Sequence, residues 1–185
     1  MRRIAVVGCP GSGKSTLARQ LAEKLRLTHI ELDALFHQPD WTAATNHQFQ
    51  ASLRLAMDEA DDVTDGWVTC GNYNSQSGEI HHERADTIVW LDLPKSIIVR
   101  RVIWRTLRRA VTREELWNGN REPLSNFYRW DPEKNIVRWA WVHFDKYRTQ
   151  YTAKLAGEDW DHLSVHRLRN QAEVAMWLAL AAPEN

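Results

Sequence analysis

The sequence has little cysteine and no excess of charge of either sign. Two cysteines in 185 residues are too few for a disulfide framework, so we expect a reducing, cytoplasmic environment. The 24 basic and 24 acidic side chains cancel, and the chain as a whole has no charge that would attract it to nucleic acid or to a membrane. No apolar stretch is long enough to span a bilayer, and the apolar residues after Met1-Arg2-Arg3 are too few for a secretory signal. The length predicts a single domain, residues 1–185.

A glycine-rich motif near the start of the chain is its most informative feature. With the threonine that follows, it matches the G-x-x-x-x-G-K-[ST] phosphate-binding pattern and consists of Gly8, Cys9, Pro10, Gly11, Ser12, Gly13, Lys14, Ser15 and Thr16. Its glycines let backbone N–H groups surround an anion at the start of a helix. Lys14 offers a positive charge to the terminal phosphates, and Ser15 offers a hydroxyl to Mg²⁺. An apolar run before the motif and helical spacing after it favour nucleotide-phosphate binding over a chance glycine-rich turn.

Strand-like and helix-like segments alternate along the chain, which predicts an α/β fold with a parallel sheet covered by helices. The predicted strands are 4–8, 28–33, 67–71, 87–93 and 164–169. Helices are predicted over 14–26 and 46–60, after Pro94, from 133 to about 155, and after Asn170. Between about 112 and 132 the periodicity fades, which indicates an inserted loop.

Asp33 is predicted at the carboxyl end of the second strand, where parallel α/β sheets bind their ligands. A carboxylate there could orient or deprotonate an acceptor hydroxyl, or hold Mg²⁺ through water. The alternative is that Asp33 caps a helix.

A basic segment without an acidic residue covers 95–113. Arg101, Arg105, Arg108 and Arg109 recur at helical spacing and share one face. Guanidinium groups stabilise the charge of a transferring phosphoryl group, and a lid-like loop follows, so we expect catalytic arginines here. A solvated basic face and a nucleic-acid stripe are the alternatives.

Weaker candidates are an arginine, the histidines and the two cysteines. Arg54 either reaches the charge of an acceptor or extends its apolar stem along the surface. The histidines lack the tight spacing of a metal site. Cys9 and Cys70 are either a redox pair or two small buried residues.

The combined motifs resemble the adenylate kinase-like P-loop kinases, and most closely the branch labelled DNA topology modulation protein-like. The matching residues run along nearly the whole chain, at 8–16, 31–37, 41, 66–68, 71–73, 85–86, 90–94 and 112–120. Trp117-Asn118-Gly119-Asn120 is the most branch-specific segment. The resemblance implies a P-loop NTPase fold with a five-stranded parallel sheet in the order 2-3-1-4-5, sandwiched by helices. It also implies an acceptor-binding segment at about 34–62 and a mobile lid at about 112–132.

Roles for individual residues are also implied by the resemblance. Arg101 is similar to a lid-entry arginine near the adenine, and Arg105 to its partner on the phosphates. The residues implied in acceptor binding are Asp33, Phe36, Arg54 and Arg84.

One position departs from the family pattern. The pattern has an aspartate before Gly-Asn-Tyr that helps to hold Mg²⁺, whereas this chain has Cys70. A thiol is a poor ligand for this hard cation. Either Asp33 and the phosphates suffice for Mg²⁺, or activity is weak or altered. Asp92 also ends an apolar strand, but Leu-Asp-Leu-Pro fits a strand end and helix start better.

The sequence therefore predicts an ATP-dependent kinase that transfers the γ-phosphoryl group of MgATP to a small acceptor, such as a nucleotide or nucleoside. The predicted catalytic residues are Lys14, Asp33, Arg101 and Arg105, and Ser15 is the predicted metal ligand. Neither a membrane nor nucleic acid is an expected partner, and no pattern indicates an oligomeric state. The alternative function is an ATP-binding regulator associated with DNA, without a dedicated acceptor.

Overall fold

Parallel strands form the centre of the molecule, and their order confirms the prediction. A computed structural model of the chain describes residues 1–77, 80–122 and 136–182. The strands are β1 (Arg3–Gly8), β2 (Thr28–Glu31), β3 (Trp67–Cys70), β4 (Thr87–Leu91) and β5 (Ser164–Leu168). They pair in the order β2-β3-β1-β4-β5, and every pairing in this sheet is parallel.

Helices follow the strands along the chain. They are α1 (Lys14–Leu25), α2 (Leu32–Phe36), α3 (Asn46–Thr64), α4 (Asn74–Ser77), α5 (Ile80–Glu83), α6 (Lys95–Thr112), α7 (Ile136–Ala156) and α8 (Gln171–Leu180). Short 3₁₀ turns lie at Pro39–Trp41 and Trp117–Gly119. Within the described ranges, no helix combines the length and the apolar character needed to cross a bilayer.

The central strand β1 explains why helices cover both faces of the sheet. Ala5 and Val7 belong to the core that includes residues of α3 and α7, whereas Ile4 and Val6 belong to the core that includes residues of α1 and α8. Side chains alternate along a strand, so a strand buried on both faces reads as a continuous apolar run.

The carboxyl ends of the strands share one edge because the sheet is parallel. β1 runs into the glycine-rich motif at this edge. Cys70, the last residue of β3, is the register partner of Val6 on β1 and of Glu31 on β2. The ends of β1, β2 and β3 therefore meet beside the motif.

The second strand is shorter than predicted, and Asp33 lies beyond it. β2 ends at Glu31, which is also the N-cap of α2, and Asp33 lies in the first turn of that helix. Leu32 is fully buried and packs on Gly71, where an added β-carbon would lie 2.8 Å from the β-carbon of Leu32. The chain turns here because Leu32 is buried over the end of β3. Asp33 nevertheless stays at the carboxyl edge of the sheet.

The other boundaries differ from the predictions by a few residues. α3 begins at Asn46 with a capping box between Thr45 and Gln48, and it continues to Thr64. The predicted insertion contains the turn Trp117–Gly119. Residues 123–132 of the predicted lid, and 133–135 of the predicted long helix, lie outside the described residues.

Candidate active site

The glycine-rich motif forms a loop between β1 and α1 that has no room for side chains at two positions. Gly8 and Gly11 have φ angles of 141° and 88°. An added β-carbon on Gly8 would lie 2.7 Å from the carbonyl oxygen of Leu91, and one on Gly11 would lie 2.4 Å from Cγ2 of Val102. Glycine is required here because both the conformation and the close contacts exclude a β-carbon.

This loop is suited to an anion at the start of α1. The N-cap Gly13 provides no side-chain cap, and the first turn of α1 has no acidic residue. The Ser12 hydroxyl is buried and has no hydrogen-bond partner among the described residues. Unpaired N–H groups and the helix dipole attract phosphate oxygens to such a site. The loop therefore fits the phosphates of a nucleotide.

Lys14 places its ammonium group within the loop. Nζ donates hydrogen bonds to the carbonyl oxygens of Gly8 at 2.8 Å and Cys9 at 3.3 Å. Burial lowers the pKa of Lys14, and the charge of Asp33 opposes that shift by raising it. The charge of Asp33 therefore favours the charged form of Lys14.

Asn72 holds the beginning of the loop, a role that the sequence analysis did not find. Its Nδ2 donates to the carbonyl oxygen of Gly8 at 2.7 Å, and its Oδ1 accepts from the Gly8 N–H at 3.3 Å. The Tyr151 hydroxyl donates to the same Oδ1 at 3.0 Å. The sequence feature that could have indicated this role is the tripeptide Gly71-Asn72-Tyr73, one of the segments that carry the family resemblance.

Ser15 and Cys70 meet beside the loop. Sγ of Cys70 lies 3.6 Å from Oγ of Ser15 and 3.3 Å from Nε2 of His29. Burial raises the pKa of Cys70 to about 12, so the sulfur is a neutral thiol at physiological pH. The Ser15 hydroxyl suits Mg²⁺ together with phosphate oxygens, whereas the thiol does not.

Asp92 is already engaged in an ion pair. Its Oδ2 accepts hydrogen bonds from Nε and Nη2 of Arg167 at 2.9 and 2.6 Å. Among the described residues, no group of three or more His, Cys, Asp or Glu side chains could hold a metal ion.

Asp33 belongs to a hydrogen-bonded group with two residues that were not predicted as site residues. The Tyr73 hydroxyl donates to Oδ1 of Asp33 at 2.5 Å and lies 3.2 Å from Nε2 of His37. Burial and the charge of Asp33 raise the pKa of Tyr73, so its hydroxyl stays protonated. Both new residues lie in segments that carry the family resemblance, 31–37 and 71–73.

Arg101 borders the loop from α6. Its Nη1 donates to the carbonyl oxygen of Ser12 at 3.2 Å, and its Nη2 donates to Oε1 of Gln171 at 2.8 Å. An added β-carbon on Gly13 would lie 3.6 Å from Nη1 of Arg101. The guanidinium group therefore covers the loop beside the start of α1.

Arg105, one turn further along α6, has different surroundings. Its Nε is buried and has no hydrogen-bond partner within the described ranges. Burial and the neighbouring Arg109 lower the pKa of Arg105, whereas Glu122 and Asp33 raise it. Arg105 therefore contributes positive charge near Asp33.

Two further arginines of α6, Arg108 and Arg109, have acidic partners. Nη2 of Arg108 lies 2.7 Å from Oε2 of Glu114, and Nη1 of Arg109 lies 3.8 Å from Oε2 of Glu122. These pairs reduce the charge that the predicted basic face offers to nucleic acid.

The residues suggested for acceptor binding do not all come together. Phe36 packs against the rings of Tyr73 and Phe49, with centroid distances of 4.7 and 5.6 Å, and so lies beside Asp33. Arg54 is exposed on α3. Its place in the site stays a prediction.

Arg84 lies at the opposite edge of the sheet from the loop. It precedes β4 and forms ion pairs with Asp58 at 2.8 Å and Asp61 at 3.1 Å on α3. Asp61 also pairs with Arg3, the first residue of β1, at 3.0 Å. Because Arg84 sits at the amino ends of the strands, the structure does not bring it to the loop.

The two cysteines lie in different apolar clusters. Cys9 packs with Ile98 and Phe144, whereas Cys70 packs with residues of α1. Burial raises the pKa of Cys9 to about 11, so neither sulfur is a ready thiolate. This arrangement suits two small buried residues.

The sheet order and the loop define a P-loop NTPase domain. The chain matches the AAA domain family over residues 4–122 and belongs to it. No curated protein sequence matches the chain.

Solved structures of two kinases share the fold. Shikimate kinase from Acinetobacter baumannii, solved with shikimate, is 15% identical with a TM-score of 0.51, and the match covers 97% of this chain and 89% of that one. A sugar kinase from Janibacter sp. HTCC2649, solved without ligand, is 19% identical with a TM-score of 0.51, and the match covers 97% of this chain and 93% of that one.

Proposed function

We propose that the chain is an ATP-dependent kinase that transfers the γ-phosphoryl group of MgATP to a small acceptor. The observation that carries this proposal is the position of Asp33, whose charge acts on both Lys14 and Arg105 beside the phosphate-binding loop. A carboxylate in this position can receive or orient the proton of an attacking hydroxyl, which supports phosphoryl transfer to a hydroxyl acceptor.

The chemistry assigned to these residues is an in-line displacement. The acceptor oxygen forms a bond to the γ-phosphorus, the bond from that phosphorus to the β–γ bridging oxygen breaks, and ADP leaves. Asp33 orients the acceptor hydroxyl and takes its proton. Lys14, Arg105 and the N–H groups of the loop stabilise the charge on the phosphoryl oxygens. Ser15 would hold Mg²⁺, which supplies further positive charge to the β- and γ-phosphates when bound.

A hydroxyl acceptor agrees better with the site than an acceptor phosphate. Arg84, which was suggested for an acceptor phosphate, is engaged at the far edge of the sheet and therefore does not lie beside Asp33. The structural neighbours named shikimate kinase and sugar kinase give indirect support, since both names denote transfer to a small molecule. We therefore place small hydroxylated molecules and nucleosides ahead of nucleotides. A regulator associated with DNA is supported less, because Arg108 and Arg109 have acidic partners.

Transfer from labelled ATP to a panel of sugars, hydroxy acids, nucleosides and nucleotides tests the proposal. With the acceptor found, Asp33→Asn should lower kcat on the order of 10²- to 10⁴-fold while ATP still binds, because the amide cannot accept the proton. The matched control is Asp62→Asn, an exposed position on α3, which should keep wild-type rates. ATP binding without transfer to any member of the panel, or an unchanged kcat in Asp33→Asn, would contradict the proposal.

A further inference from the structure

Tyr73 joins Asp33 to His37 by hydrogen bonds of defined direction. A phenol has one proton, and at 2.5 Å that proton goes to Oδ1 of Asp33. The contact of 3.2 Å between the Tyr73 oxygen and Nε2 of His37 then requires the imidazole to be the donor. The order of donation is therefore from His37 to Tyr73 to Asp33.

His37 is in turn held by the segment Trp117–Asn120, which follows α6. Nδ2 of Asn118 donates to the carbonyl oxygens of His37 at 2.6 Å and Ala34 at 3.0 Å. The Trp117 ring stacks on the His37 ring at a centroid distance of 5.9 Å and an interplanar angle of 24°. Both the main chain and the ring of His37 are thus positioned from this segment.

Further hydrogen bonds fasten the same segment to residues 38–41. Nδ2 of Asn120 donates to the carbonyl oxygen of Gln38 at 2.9 Å, and Oδ1 of Asn120 accepts from the Trp41 N–H at 2.8 Å. Nε1 of Trp41 donates to the carbonyl oxygen of Arg121 at 3.1 Å. Asn120 is buried, so the two bonds that its amide makes are shielded from water and favour one docked arrangement.

We propose that Tyr73 and His37 are positioning residues that transmit the docking of Trp117–Asn120 to the Asp33 carboxylate. While the segment is docked on residues 34–41, His37 donates a hydrogen bond to Tyr73, and the bond from Tyr73 fixes the orientation of the Asp33 carboxylate. Without the docked segment, His37 is no longer fixed and the orientation of Asp33 is lost. The inference rests on the proposed function, in which Asp33 orients the acceptor and takes its proton.

Coupling between the two ends of this chain of contacts is the first test. Tyr73→Phe and Asn118→Ala should each lower kcat for the acceptor on the order of 10- to 100-fold, with little change in the KM for ATP. The double variant should lose no more than the worse single variant, because both changes break one path. The controls are Glu115→Gln, an exposed position two residues before the segment, and His47→Gln, an exposed histidine. Losses that multiply in the double variant, or a kcat unchanged in Tyr73→Phe, would overturn the inference.

A second test does not depend on activity. Burial lowers the pKa of His37 and the charge of Asp33 raises it. On one side of the His37 ring the charged and titratable groups are Asp33 and Tyr73. On the other side is Arg109, whose Cζ lies 5.9 Å from the centroid of the Trp117 ring that stacks on His37. The His37 resonance is assigned as the one that is missing from the NMR spectrum of His37→Gln. In an NMR titration, Asn118→Ala should raise the pKa of His37, because the ring becomes more exposed. Asp33→Asn should lower it.

The two tests separate the two proposals. If no acceptor is phosphorylated but the pKa of His37 follows these directions, the proposed function fails and the chain of contacts stands. A pKa of His37 that is unmoved by Asn118→Ala, in a protein that unfolds at the wild-type temperature, overturns the inference.

Discussion

At the scale of single residues, the site is built around a carboxylate that compensates two buried cations. Burial lowers the pKa of Lys14 and of Arg105, and in both cases the charge of Asp33 opposes this shift. Asp33 therefore stabilises both buried cations in the free protein. Cys70 is unfavourable for Mg²⁺ binding, because it places an uncharged thiol 3.6 Å from the Ser15 hydroxyl, the predicted metal ligand.

Replacing this thiol by a carboxylate should strengthen the metal site. We expect Cys70→Asp to lower the Mg²⁺ concentration needed for half-maximal transfer on the order of tenfold, because a carboxylate is a far better partner for this cation than a thiol. In the absence of Mg²⁺ the variant should unfold at a lower temperature, since the new charge is buried near Asp33 and Glu31, both of which already act on Cys70.

The measurement is transfer rate against Mg²⁺ concentration, with Cys70→Ser as the uncharged control of similar size. Identical Mg²⁺ dependence in the two variants would show that this position does not limit metal binding.

At the scale of secondary-structure elements, α6 is the part that holds the loop in shape. Gly11 packs against Ile98 and Val102 of this helix, and Arg101 donates to the carbonyl oxygen of Ser12. The segment Trp117–Asn120 follows the carboxyl end of α6 and docks on residues 34–41. One helix therefore contacts the phosphate-binding loop and leads to the segment that docks on residues 34–41.

Gly11→Ala should separate α6 from the loop. The new β-carbon would lie 2.4 Å from Cγ2 of Val102 and 2.9 Å from the carbonyl oxygen of Ile98, and φ at this position is 88°. We expect a loss of about 1–3 kcal/mol in the free energy of unfolding, together with weaker ATP binding. Urea unfolding and calorimetric titration with ATP measure the two effects.

Gly157→Ala is the matched control, since its added β-carbon would come no closer than 3.3 Å to another heavy atom. Equal stability of Gly11→Ala and Gly157→Ala would contradict the close contact between α6 and the loop.

At the scale of the whole molecule, buried histidines link stability to pH. His81 is buried on α5 with its ring 4.0 Å from that of His82, and neither ring nitrogen of His81 has a hydrogen-bond partner among residues 1–77, 80–122 and 136–182. Burial holds the pKa of His81 well below its ordinary value of 6.5. The folded protein therefore keeps this imidazole neutral, whereas the unfolded chain binds a proton at about pH 6.5.

The free energy of unfolding should consequently fall as the pH is lowered through 6.5. The unfolded state then binds more protons than the folded state, and one such histidine contributes up to about 1.4 kcal/mol per pH unit. Denaturant unfolding between pH 7.5 and 5.5 measures this fall in the free energy of unfolding, and His81→Phe should reduce the total fall by about 1.4 kcal/mol. His29, His37 and His166 also have lowered pKa values, so part of the slope should survive in the variant. A slope identical in wild type and His81→Phe would contradict this account.

The sequence by itself determined the layered fold and the phosphate-binding loop. Both are encoded locally, since the apolar run of β1 and the helical spacing of α1 specify which faces are buried. The glycines at 8 and 11 supply the φ angles of 141° and 88° that the loop adopts. The sequence also predicted that Asp33 lies at the carboxyl edge of the sheet, and the structure has it there. Because the chain turns at Leu32, however, Asp33 belongs to α2 and not to β2.

Only the tertiary structure decided which distant residues share the site. Tyr73 meets Asp33 across 40 positions, Asn118 meets His37 across 81, and Asn72 meets Gly8 across 64. The same packing carried Arg84 to the far edge of the sheet, where two aspartates of α3 hold it. Local periodicity records which face of an element is buried, but the order of the strands and the crossings between them determine which ends and loops come together.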